Sequence, residues 1–132
     1  MPHLVLEYSG NVRDDVDPTA VFGKLHDTLA KAGGFRLRDF KSRAVPMDRF
    51  LIGDGSYEQS FVNLDIRTFA GKSVEARAAI SEAALAVLTE FFPATLRETA
   101  CDISVQVTEL DRASFTRTRS GDQTNSQERK QS

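Results

Sequence analysis

Pro2 is the residue with the clearest chemical potential, because it directly follows the initiator methionine. That methionine is routinely trimmed before a small residue, and trimming would leave Pro2 with a free secondary amine. An α-amino group ordinarily has a pKa of about 7.7 to 8.0, and an apolar pocket or a nearby cation lowers it. Pro2 is therefore a candidate acid or base near neutral pH. The alternative is that Met-Pro is a tolerated beginning without catalytic meaning.

The other reactive residue types form no recognisable constellation. Histidine occurs only at positions 3 and 26, which gives no metal-ligand spacing. Neither Ser9-Gly10 nor the glycines of residues 53–55 have the strand-to-helix setting of a nucleophile elbow or a phosphate loop. The single cysteine, Cys101, cannot form an internal disulfide, and we interpret it as a small buried apolar residue. We therefore expect no metal and no cofactor.

Length, composition and charge limit the kinds of protein and partner that this chain is compatible with. A chain of 132 residues, 40% hydrophobic and 27% charged, is typical of one globular domain that oligomerisation would help to stabilise. Its net charge of −2 provides no general attraction to nucleic acid or to anionic lipid. No apolar run is long enough to span a bilayer. We expect a soluble cytoplasmic protein with neither nucleic acid nor membrane as a partner.

The first half of the chain predicts a strand, a helix and a second strand. Leu4-Val5-Leu6 is an apolar run of strand length that would hold the Pro2 amine inside the fold. Asp17 before Pro18 is typical of a helix start, and Gly33-Gly34 of its end. The helix carries one apolar stripe, formed by Val21, Leu25, Leu29 and Ala32. Residues 35–50 are interpreted as a strand in which Pro46 requires an edge or a bulge.

The second half repeats that order. Val62, Leu64 and Ile66 alternate with polar residues, which indicates a half-buried strand. Ser73 can cap a helix that ends at Pro93, and its apolar face contains Ile80, Ala84, Val87, Leu88 and Phe91. Alternation over residues 101–108 predicts the last strand.

The expected fold is α+β, a pair of βαβ units. Right-handed crossovers would place two helices on one face of a four-stranded mixed sheet. The other face carries Asn63, Asp65 and Arg67, so it would meet water or other subunits. After Asp111 the composition becomes polar and basic. We expect a domain over residues 1–115 and a disordered tail over 116–132, with Arg112 and Arg117 merely solvated.

Residues 1–9, MPHLVLEYS, resemble the opening of the 5-carboxymethyl-2-hydroxymuconate delta-isomerases, a branch of the tautomerase superfamily with an N-terminal proline as catalytic base. The resemblance continues through FKSR at 40–43, DG at 54–55, FV at 61–62 and AGKS at 70–73, and it fades after about Phe115. It therefore covers most of the chain.

The resemblance implies a tautomerase-like homotrimer that ketonises a small carboxylate. The substrate would be a 2-hydroxymuconate-type di- or tricarboxylic acid of aromatic catabolism, such as 5-carboxymethyl-2-hydroxymuconate. Pro2 would carry the proton, while Arg43, Lys41 and Lys72 match the family's basic positions and would bind carboxylates. Relatives carry arginine where this chain has the two lysines, which lack the bidentate fork.

Two alternatives remain open. The chain could start a different reaction on a small unsaturated acid, such as a hydration or a dehalogenation, at Pro2. It could also be a non-catalytic trimeric scaffold or binding protein of the same fold, for which the lysines at 41 and 72 are the motivating observation.

Overall fold

The computed structural model describes residues 1–121. Four strands, three helices and two 3₁₀ turns make up this part of the chain. The strands are β1 (His3–Ser9), β2 (Lys41–Met47), β3 (Gln59–Phe69) and β4 (Ala100–Leu110). The helices are α1 (Pro18–Gly33), α2 (Val74–Phe91) and α3 (Pro93–Glu98), and the 3₁₀ turns are Leu37–Asp39 and Arg112–Ser114.

The strands form one mixed sheet in the order β2-β1-β3-β4. β1 runs parallel to β2 and antiparallel to β3, and β3 runs parallel to β4. The register pairs His3 with both Lys41 and Arg67, and Phe69 with Leu110. The starts of β1 and β2 and the ends of β3 and β4 therefore meet at one end of the sheet. The predicted fold class, a four-stranded mixed α+β sheet, is confirmed.

Local sequence explains the helix boundaries. The Asp17 side chain accepts hydrogen bonds from the N–H groups of Thr19 and Ala20, and Gly34 ends α1 in the left-handed region at φ 69°. The Ser73 hydroxyl accepts a bond from Ala76 N at 3.1 Å and so caps α2. These ends satisfy backbone groups that a helix leaves unpaired.

Pro93 does more than end α2, because it begins the short helix α3, which the sequence pattern did not indicate. Asp14 holds the start of α3 from the loop before α1. Its carboxylate accepts bonds from Ala94 N at 3.1 Å and from Thr95 N at 2.8 Å. Burial opposes ionisation of Asp14, but these bonds and the Thr95 hydroxyl bring its pKa below the usual value.

The core lies between one face of the sheet and the two long helices. Strand residues Leu4, Leu6, Leu64 and Ile66 and helix residues Leu25, Leu29, Ile80 and Leu88 are fully buried there. Each such side chain contributes about 1.5 to 3 kcal/mol by leaving water. Ala32, which was predicted to belong to the apolar stripe, is exposed, and Cys101 is only partly buried because β4 is an edge strand.

The segment 35–50 is a strand only over β2. Residues before it form a 3₁₀ turn, because Asp39 N bonds to Arg36 O at 3.0 Å and Phe40 N to Leu37 O at 3.3 Å. Pro46 lies in β2, an edge strand, as its missing N–H requires.

The helix-free face of the sheet carries a polar network. Asn63 Nδ2 donates to Ser104 Oγ at 2.8 Å and to Gln106 Oε1 at 2.9 Å. The Asp65 carboxylate accepts from Thr108 Oγ1 at 2.6 Å and pairs with Arg67 Nε at 3.0 Å. This face is thus polar, as predicted.

Residues 116–121 of the predicted tail contain neither helix nor strand, and 122–132 lie outside the described residues. Within the described part of the chain, no helix has the length and apolar character needed to cross a membrane.

Candidate active site

The chain's N-terminus is held at the end of the sheet where β1 begins. Pro2 is buried, and its carbonyl oxygen accepts a hydrogen bond from Lys41 N at 3.2 Å. A cavity of about 590 Å³ opens at this point, and Met1 lines it. The amine of Met1 therefore lies in a concave site of small-molecule size.

Two chain reversals build the cavity walls. Gly34, in the left-handed conformation, turns the chain from α1 into Phe35 and Arg36. On the other side β3 ends at Phe69, and Gly71, with φ 128°, turns the chain toward α2. A side chain at Gly71 would be strained at that angle.

Three cationic side chains line the cavity. Lys72 Nζ donates to Gly33 O at 3.0 Å and lies 4.7 Å from the centroid of the Phe35 ring. Arg36 Nε pairs with Asp39 Oδ2 at 3.0 Å. The Arg112 guanidinium carbon lies 4.1 Å from the centroid of the Phe69 ring.

The electrostatic surroundings favour a neutral amine. In the chain with Met1 present, burial is the main cause that lowers the pKa of the terminal amine below 8.0, and the charge of Lys41 is the second. Arg117 and Arg36 lower this pKa further, whereas the Asp39 carboxylate opposes them. A neutral amine has the free lone pair that a proton-accepting group needs.

The structure brings some of the sequence-predicted site residues together. Lys72 and the N-terminus share the cavity. Lys41 lies beside it, since its charge acts on the terminal amine and its Nζ donates to Asp39 O at 3.5 Å.

Arg43 lies elsewhere in the single chain. Its Nη1 is 2.7 Å from Nδ1 of His3, and both residues belong to the helix-free face of the sheet. Burial, followed by the charges of Arg43 and Lys41, lowers the pKa of His3 below 6.5. Because a guanidinium has only donors, the neutral imidazole accepts at Nδ1.

Sequence reasoning missed several residues of the site, namely Phe35, Arg36, Asp39, Phe69, Arg112 and Arg117. Arg112 and Arg117 were interpreted as solvated, yet one lines the cavity and the other acts on the terminal amine. The sequence contained one indication that the chain stays ordered after β4. Asp111 directly follows the last strand and is a typical turn-capping residue, and its carboxylate accepts a bond from Ala113 N at 3.0 Å. The chain therefore continues as an ordered turn after β4.

Comparison with known proteins shows the family to which the chain is related. The model of the 5-carboxymethyl-2-hydroxymuconate isomerase family matches residues 2–121. The 5-carboxymethyl-2-hydroxymuconate Delta-isomerase of Escherichia coli is 30% identical over 110 residues, which cover 83% of this chain and 87% of that protein.

Solved structures share the fold. A 5-carboxymethyl-2-hydroxymuconate isomerase from Deinococcus radiodurans has a TM-score of 0.77 at 27% identity, covering 89% of each chain. A fused 4-OT wild-type symmetric trimer has a TM-score of 0.64 at 18% identity, covering 89% of this chain and 92% of its own. The chain therefore belongs to the 5-carboxymethyl-2-hydroxymuconate isomerase family of the tautomerase superfamily, a family of isomerase enzymes.

Proposed function

We propose that this isomerase ketonises a 2-hydroxymuconate-type di- or tricarboxylic acid, such as 5-carboxymethyl-2-hydroxymuconate, in aromatic catabolism, with Pro2 as the acid and base. The observation that supports this most strongly is the position of the N-terminus. With Met1 present, the terminal amine lies at a cavity lined by Lys72, Arg36 and Arg112, and burial lowers the pKa of this amine. Removal of Met1 would transfer the free amine to Pro2, the next residue. A base for the proton and cations for the developing charge are the two requirements of a keto–enol reaction.

The reaction moves one proton and needs no external oxidant or reductant. The neutral Pro2 amine accepts the proton of the 2-hydroxyl group, and the oxygen electrons form the carbonyl. The conjugated double bonds of the substrate shift along its carbon chain, and the Pro2 ammonium returns the proton to the distal carbon of the substrate. The cations of Lys72, Lys41 and Arg43 stabilise the dienolate between the two transfers.

The proposal assigns carboxylate binding to Lys72, Lys41 and Arg43. Lys72 lines the cavity, and the charge of Lys41 lowers the pKa of the Met1 amine. Arg43 bonds to His3, which directly follows Pro2. In binding substrate, Arg43 would exchange this partner for a carboxylate, and the kinetics of Arg43→Ala test that role.

The proposal also includes a homotrimer. β2 and β4 are open sheet edges, and the helix-free face leaves a polar surface without a covering layer among the described residues. One relative of this fold is a symmetric trimer. Light scattering at micromolar concentration should give three times the chain mass, and a monomeric mass would contradict the assembly.

The direct test of function is an absorbance assay with purified protein. Loss of the dienol absorbance of 2-hydroxymuconate, faster than in buffer and proportional to enzyme concentration, is the expected result. Absence of catalysed ketonisation across several 2-hydroxy dienoic di- and tricarboxylates would overturn the proposed substrate class. The scaffold alternative predicts that negative result.

A further inference from the structure

We propose that Arg112 determines specificity by binding a second carboxylate of the substrate, so that the site selects dicarboxylates over monocarboxylates. This inference rests on the proposed function, because it concerns the substrate of that same cavity. It gives the segment after β4 a role that composition alone did not suggest.

The backbone around Arg112 is fixed at the cavity. Leu110 O, at the end of β4, accepts a bond from Ala70 N at 2.9 Å and so joins β4 to the loop before Lys72. Ser114 Oγ donates to Asp111 O at 3.1 Å inside the following 3₁₀ turn. Arg112 is the first residue of that turn. Its side chain therefore starts from an ordered position beside the cavity wall.

The Arg112 side chain is also held in place. Its guanidinium stacks on Phe69, which is 8% exposed, and the Phe115 ring contacts Phe69 edge-on at 5.0 Å. Stacking uses the face of the guanidinium and leaves the N–H groups in its plane available. Within residues 1–121, this guanidinium makes no hydrogen bond or ion pair.

The other cations of the cavity already have partners. Arg36 is paired with Asp39, and Lys72 donates to Gly33 O. Lys72 offers a point charge, whereas Arg112 offers a planar fork that matches a carboxylate with two parallel hydrogen bonds. A cavity of about 590 Å³ has room for a small diacid. The arrangement thus favours a substrate with one carboxylate at Lys72 and another at Arg112.

The experiment compares two substrates that share the reacting dienol. 2-Hydroxymuconate has a carboxylate at both ends, and 2-hydroxypenta-2,4-dienoate has only one. Arg112→Ala should lower kcat/KM for the diacid by about 10- to 100-fold and leave that for the monoacid within about twofold. Arg112→Lys should give an intermediate loss on the diacid. Arg97→Ala is the matched control, because Arg97 lies in α3 with 70% of its side chain exposed.

Two results of the Arg112→Ala kinetics would contradict the inference. Equal losses on both substrates would show that Arg112 does not act through the second carboxylate, and no loss on the diacid would show that it does not bind substrate. Either result overturns the inference while leaving the isomerase intact. Melting temperatures of the variants identify any loss of folding.

A second measurement separates this inference from the proposed function. If the wild-type protein ketonises neither substrate, ligand-induced shifts in melting temperature are recorded with cis,cis-muconate and with sorbate, which lack the reacting hydroxyl. Protection by muconate that disappears in Arg112→Ala, without protection by sorbate, supports the diacid site although the proposed reaction fails. Equal shifts in wild type and variant, or no shift in either, would overturn it.

Discussion

Lys72→Met removes a cation from the cavity while keeping an unbranched apolar stem against Phe35. A charge-assisted hydrogen bond to a carboxylate contributes about 1.5 to 3 kcal/mol, which corresponds to about 10- to 100-fold in affinity. We therefore expect KM for 2-hydroxymuconate to rise by about that factor. If the bond strengthens as charge develops, kcat falls as well.

The same change has a structural cost that can be measured separately. Lys72 Nζ satisfies Gly33 O, a carbonyl at the end of α1, at 3.0 Å. Losing that bond should cost about 1 kcal/mol of unfolding free energy, or roughly 3 to 6 °C in melting temperature for a chain of 132 residues. The kinetic assay should therefore be run well below the melting temperature of the variant.

Lys72→Arg and Lys24→Met complete the comparison. Lys72→Arg restores the fork and should change kcat/KM several-fold in either direction, about 1 kcal/mol. Lys24 is an exposed lysine of α1, and its replacement should leave the kinetics unchanged. Wild-type kinetics in both Lys72 variants would remove Lys72 from the site and refute this reasoning.

Three further outcomes are expected. Arg43→Ala should raise KM and lower kcat together if the guanidinium binds substrate, whereas wild-type steady-state constants would leave Arg43 only its His3 contact. Deleting residues 122–132 should change neither melting temperature nor activity, and a fall of several degrees would show that these residues dock. His26 packs on Phe40 at 4.6 Å and bonds to Ser42 at 2.6 Å, and burial, opposed by Asp27, lowers its pKa below 6.5. His26 therefore binds a proton more readily in the unfolded chain than in the folded chain. Stability should fall as pH drops from 6.5 through the lower folded pKa of His26. His26→Gln should reduce the slope of melting temperature against pH between about 7.5 and 5.5. An unchanged slope would exclude His26 as a contributor.

The periodic elements could be predicted from the sequence because their signals are local. Asp17 and Pro18 begin α1, and alternation from Val62 to Ile66 marks β3. The first strand followed from the apolar run at residues 4–6, in which Leu4 and Leu6 are fully buried. These predictions required only neighbouring residues.

The remainder of the site depends on strand register, which the sequence does not encode locally. The pairing of Lys41 with His3 places Arg43 opposite Val5, on the helix-free face. Parallel pairing of β3 with β4 carries Arg112 back to the end of the sheet where the N-terminus lies. A basic residue after the last apolar strand looks solvated until that pairing is known.

The most direct test of the central claim uses the N-terminus itself. Mass spectrometry should show that active protein lacks Met1. Its rate should rise with pH through one ionisation below the usual α-amino pKa, because the freed Pro2 amine is expected to meet the same kinds of influence, burial and the charge of Lys41, that lower the pKa of the Met1 amine. A variant with a verified, uncleaved N-terminal extension turns the Pro2 nitrogen into an amide without a basic lone pair. We predict that this variant folds and assembles like the wild type but loses nearly all ketonisation. Full activity with the extension in place would contradict the claim that the Pro2 amine moves the proton.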